Sequence, residues 1–166
     1  MVASNILENC KKFDKSINLT TTNFNTYFYN VDGNKSNFDT FASEIACFNN
    51  KFTVIGIVET NVNSDQKELY KLDGYNSFYS DKILDKSTGT GVAVYVHESF
   101  NATYNPEASI ILPHIESLFV EIKQGSNEKI NVGIIYRPPN TKIADFLNEA
   151  KNLLLKISKT RTYLLG

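Results

Sequence analysis

The stretch FTVIGIV, residues 52–58, is apolar almost without alternation. A strand with one face in water alternates apolar and polar side chains, so an unbroken apolar run belongs to a strand covered on both faces. Layers must therefore lie on either side of it. Upstream, Phe38, Phe41, Ala42, Ile45 and Phe48 recur at helical spacing through SNFDTFASEIACF, with Asn37 placed as the helix N-cap and Cys47 on the buried face. Earlier still, NTYFYNV (25–31) has the aromatic, β-prone composition of a strand. Strand, helix and buried strand make a βαβ unit, whose right-handed crossover leaves the two strands parallel.

The rest of the chain continues in the same idiom. Residues 60–88 form a polar excursion that holds LDGYNSFYS, a turn with a short strand. TGVAVYV (90–96), ESLFVEI (116–122) and KINVGIIY (129–136) are three further strands, and QGSNE (124–128) supplies hairpin-loop chemistry between the last two. Ile143, Phe146, Leu147, Ala150, Leu153, Leu154 and Ile157 then form one apolar helical stripe, and TRTYLLG begins another strand. Residues 1–24 are polar and rich in Asn, Thr and Lys, a loosely structured lead-in to one domain over 25–166. The expected class is α/β or α+β with a mixed sheet and flanking helices.

A chain of 166 residues with 42% hydrophobic content can bury a sizeable core. A net charge of −1 argues against a strongly basic nucleic-acid coat while leaving room for a local patch. The two cysteines, Cys10 and Cys47, lack the spacing of a disulfide framework or a zinc site. No run approaches the ~18 consecutive apolar residues of a membrane span, and the N-terminus is too polar for a signal peptide. An intracellular location, without membrane attachment, is the expectation.

The polar groups that interrupt this pattern fall at strand ends. Asn30 closes the first strand, Glu59 follows the second, and Tyr136 closes the strand that runs into YRPPN. If the first two strands are parallel, Asn30 and Glu59 share the carboxyl-end rim where open α/β sheets place ligands. A carboxylate flanked by an amide suits a hard divalent cation, with waters completing the coordination. Tyr136 can donate to a phosphate oxygen there. Each residue also has an ordinary reading: Glu59 as a solvated loop residue, Tyr136 as a packed ring with a wet hydroxyl, Asn30 as turn chemistry.

Taken together, FYNVDGNKSNFDTF, FTVIGIVETN, LDGYNSFYS, GTGVAVYV, ESLFVEI and VGIIYRPPN resemble the endonuclease/exonuclease/phosphatase superfamily. The closest likeness is to the AP-endonuclease-type domain that precedes the reverse transcriptase of non-LTR retrotransposons, and it covers roughly residues 25–166. The resemblance implies a four-layer α/β sandwich of two facing sheets that cuts DNA phosphodiester bonds with Mg²⁺, or with Mn²⁺ in its place. It also implies catalytic roles for Asn30 and Tyr136, a metal-binding role for Glu59, and substrate contacts from Arg137 and Asn140 in the adjoining loop. The chain departs from the pattern in three places. Asn140 is displaced by one position, ETNVN lacks a tryptophan common in the relatives, and Asp32 stands where they often carry arginine.

In that family a strand ending LLG runs into Asp-Phe-Asn, whose aspartate and asparagine orient the attacking water, and an Asp-His pair follows later. The resemblance therefore implies a domain present here as its N-terminal part, with little turnover by itself and a reverse transcriptase expected downstream. His97 and His114 are expected in loops, not as substitutes for the late histidine. A DNA target implies a nuclear destination. The alternatives are a non-catalytic remnant or interaction module, prone to self-association through a sheet face left without its facing layer, and a phosphatase of the same superfamily.

Overall fold

The computed structural model describes residues 24–33, 35–48, 51–63, 65–80, 90–124 and 128–166. Of the polar lead-in over 1–24, residues 1–23 lie outside the described residues, as do 64 and 81–88 of the polar excursion and the loop residues 125–127. Strand β1 (Thr26–Asn30) leads through helix α1 (Lys35–Cys47) to β2 (Val54–Val58). β1 and β2 pair in parallel, with Asn30 beside Val58, so the expected βαβ unit is present. β3 (Tyr75–Tyr79) and β4 (Val92–His97) complete a four-stranded sheet in the order β1-β2-β4-β3. The second sheet holds β5 (Ala102–Tyr104), β7 (Ile115–Gln124), β8 (Glu128–Tyr136) and β9 (Thr162–Leu165), with the short β6 (Ile111–Leu112) paired to β7. Helix α2 (Ile143–Ile157) connects β8 to β9, which again pair in parallel.

Side-chain alternation on β2 sorts its residues between two cores, which is why FTVIGIV carries no polar face. Ile55 and Ile57 turn outward to Phe38, Phe41, Ile45 and Phe48 of and just beyond α1. Val54 and Val58 turn inward with Val92, Val94 and Val96 of β4, meeting Leu118, Val120 and Ile122 of β7 and Val132 and Ile134 of β8. The two sheets thus lie face to face. On the far side of the second sheet, Ile115 and Phe119 pack against Ala150, Leu153 and Ile157 of α2. Helix, sheet, sheet, helix gives the four layers.

Several expectations need correction. The expectation of a bare sheet face fails, because both inner faces are occupied by each other and both outer faces carry a helix. Helix α2 carries a row of exposed apolar groups instead: Ile143, Leu147 and Leu154 of the predicted stripe lie open to solvent together with Leu155. Only the half of that stripe turned to β7 is covered. Asn37 does not cap α1: the helix begins at Lys35, and the Asn37 amide donates to the Val31 carbonyl, tying the helix to the end of β1. The short edge strands β5 and β6 had no distinct pattern in the sequence. His97 is the last residue of β4, and its ring bonds to Ser99 at the rim opposite Glu59. His114 sits in the β6–β7 turn, with its backbone N–H donated to Glu149.

Candidate active site

Parallel pairing of β1 and β2 places Asn30 and Glu59 at one rim, and Gly33 N–H locks the two loops by donating to the Glu59 carbonyl at 2.6 Å. Glu59 and Asn61 both adopt left-handed backbone angles, φ 57° and 48°. Such angles are costly for residues with a Cβ and persist only where the surroundings enforce them. The enforcement is visible. Thr60 N–H donates to the Gly91 carbonyl at 3.1 Å, and Asn61 N–H donates to the Thr90 carbonyl at 2.9 Å. Gly91, at φ 88°, admits this approach because a Cβ there would stand 2.5 Å from Thr60 Oγ1.

The second sheet reaches the same rim from the opposite side. On β8, Tyr136 shares the inward parity of Val132 and Ile134, so its ring points into the mouth of the space between the sheets. Its hydroxyl donates to Glu59 Oε1 at 2.6 Å, although the two residues are 77 apart in sequence. Burial raises the Tyr136 pKa, reinforced by the bond to Glu59 and by the charges of Glu59 and Glu116, with Arg137 opposing. The phenol therefore keeps its proton at any ordinary pH and acts as a donor. Directly across from Tyr136 on β7 is Glu116, fully buried, whose Oε2 accepts from Gly91 N–H at 2.7 Å. Two hydrogen bonds thus cross between the sheets side by side.

The predicted site residues are not equally engaged. Glu59 and Tyr136 meet. Asn30 emerges beside them, but its Oδ1 accepts from Asp32 N–H at 2.9 Å and so closes its own turn. Arg137 also bonds locally, donating from Nη1 to the Thr141 carbonyl at 2.7 Å and bracing the loop after β8, with further N–H donors on the same guanidinium. Asn140 is exposed in that loop at φ 63°. Sequence reasoning missed Glu116, Gly91 and Thr60. The signal for Glu116 was present: in IESLFVEI it holds the same alternate position as Leu118, Val120 and Ile122, an acid on an otherwise apolar face.

Among the described residues, no group of three or more His, Cys, Asp or Glu side chains could hold a metal ion. That excludes a dedicated cage within this part of the chain. Mg²⁺ binds through one or two carboxylates and takes its remaining ligands from water and phosphate. Glu59 is half-buried and uses one oxygen for Tyr136, while a carboxylate offers about four lone-pair positions. Glu59 is therefore the residue that would hold the cation. A hard cation there would supply charge neutralisation to a phosphoryl oxygen.

No protein-family model matches the sequence, and no curated protein matches it. Solved structures match it in fold. The endonuclease domain of TRAS1, a telomere-specific non-LTR retrotransposon, aligns with a TM-score of 0.58 and 15% identity over 85% of this chain and 58% of that one. ANGEL2, a 2′,3′-cyclic phosphatase, aligns with a TM-score of 0.52 and 20% identity over 74% of this chain and 38% of that one. The fold is of the endonuclease/exonuclease/phosphatase type. The chain spans less than two thirds of the length of either structure.

Proposed function

We propose that this chain is the cation- and phosphate-binding half of a Mg²⁺-dependent phosphodiesterase domain of the DNA-nicking, retrotransposon type. One observation carries the reading: the Tyr136–Glu59 hydrogen bond, which joins a carboxylate and a protonated phenol across two sheets at the rim where β1 and β2 end. A carboxylate at that rim binds the cation, and the phenol offers its proton to a phosphate oxygen. Arg137, Asn140 and Lys142, all exposed in or beside the loop after β8, are the side chains that would contact a nucleic-acid backbone at the rim. The TRAS1 endonuclease domain, with the same fold, favours DNA as the substrate.

The 166-residue chain spans 58% of the length of the TRAS1 endonuclease domain and is expected to bind cation and phosphate with little turnover, since loss of a general base typically costs 10²–10⁴-fold. The same observation favours a second reading, a non-catalytic binding module on this fold. Mn²⁺ titration followed by electron paramagnetic resonance tests the site, with E59Q as control. Binding that E59Q weakens at least tenfold supports the reading, and binding indifferent to E59Q overturns it. Conversion of supercoiled plasmid to the nicked form in Mg²⁺, lost in E59Q, separates the nuclease from the binding module.

A further inference from the structure

We propose that Glu116 is the positioning residue of this rim, holding the Glu59 loop in its strained form from the opposite sheet. The inference rests on the assignment of Glu59 as the cation-binding residue, but the geometry that carries it is independent of that assignment. Glu116 is 0% exposed, at the inward parity of β7, where its neighbours Leu118, Val120 and Ile122 are all apolar. An ionised carboxylate in such a place costs free energy unless it is hydrogen-bonded. Its Oε2 accepts from the backbone N–H of Gly91, just ahead of β4 in the other sheet, at 2.7 Å.

From Gly91 the contacts run directly to the site. The Gly91 carbonyl receives Thr60 N–H and the Thr90 carbonyl receives Asn61 N–H, at 3.1 and 2.9 Å. These two bonds bracket the turn in which Glu59 and Asn61 hold positive φ. Gly91 is itself at φ 88°, so without an acceptor for its N–H the start of β4 loses the bond that orients its two carbonyls. Glu116 thus acts on Glu59 through the Thr90–Gly91 backbone, while its register partner Tyr136 holds the Glu59 carboxylate directly.

An acceptor role and a charge role are separable by substitution. E116Q keeps the length and an acceptor oxygen while removing the charge; E116D keeps the charge and withdraws the acceptor by one methylene. Amide hydrogen exchange of the whole chain, read at Gly91, Thr60 and Asn61, is expected to stay within about threefold of wild type in E116Q. In E116D it is expected to accelerate at least tenfold at all three amides, with distant β7–β8 amides unchanged. Slow exchange at Thr60 and Asn61 in E116D, or equal acceleration in E116Q, overturns the proposal. Mn²⁺ binding separates this outcome from the functional reading. Wild type without Glu59-dependent binding refutes the cation site while the exchange data still judge Glu116. Intact binding in an E116D protein whose loop has loosened refutes the link from Glu116 to Glu59.

Discussion

At the scale of single residues, the Tyr136–Glu59 hydrogen bond at the rim is charge-assisted, and its removal has a predictable size. A hydrogen bond to a charged group contributes about 1.5–3 kcal/mol. Y136F is therefore expected to lose about 1–2 kcal/mol in urea unfolding, the half-exposed site placing it low in that range. The E59Q/Y136F pair should show non-additivity of at least about 0.5 kcal/mol, because each single change already breaks the shared bond. Gly91 provides a steric counterpart. G91A sets a Cβ 2.5 Å from Thr60 Oγ1 at a φ of 88° and should cost about 1–3 kcal/mol, measured by the same unfolding curves.

Tyrosines also set an upper pH limit for the fold. Burial pushes Tyr75 from 10.0 up to about 12, and it also raises Tyr79 and Tyr95, which both donate to the Tyr70 carbonyl. A folded-state pKa above the unfolded one means that folding favours the protonated phenol. That contribution is complete below pH 10 and is lost as the pH rises through about 12. Unfolding free energy should therefore fall between those values, with a shallower slope in Y75F. A slope identical to wild type would remove Tyr75 from this account.

Elements divide into those whose whole apolar pattern is used and those whose pattern is only half used. In and just beyond α1 the periodic residues Phe38, Phe41, Ile45 and Phe48 are all buried, and F41A should cost about 3–5 kcal/mol as a core cavity. In α2 the stripe is wider than the surface it meets. Leu153 is 2% exposed and Leu147 is 57% exposed, although the two belong to one helical pattern. L153A is expected to destabilise by about 2–5 kcal/mol, whereas L147S should change stability by no more than about 0.5 kcal/mol. Calorimetric melting of the two variants checks the contrast. Hydrophobic spacing identified both helices correctly, but a side chain's periodicity does not reveal how far the opposing sheet extends.

For the whole molecule, the exposed row on α2 together with Leu164 on β9 is an apolar surface of the kind that mediates association. Sedimentation velocity should show concentration-dependent self-association, weakened by the double change L147S/L154S; a single monomeric species up to high concentration would remove that expectation. Among the described residues no helix is long and apolar enough to cross a membrane.

Much of this architecture was legible before any coordinates. The unbroken run at 52–58 demanded cover on both faces, and the βαβ unit set β1 beside β2, so Asn30 and Glu59 had to share a rim. These are consequences of local pattern and chain connectivity, which the order of residues carries by itself. Asn30 and Arg137 turn to backbone partners two and four residues away, the local chemistry that the sequence already allowed, so the cross-sheet contacts were left to tertiary packing. It alone brought Tyr136 to Glu59 across 77 residues and set Glu116 against Gly91, because hydrogen bonds between sheets depend on how two separately folded surfaces meet. Periodicity records which face a side chain takes; only the packed molecule decides which atom waits on the other side.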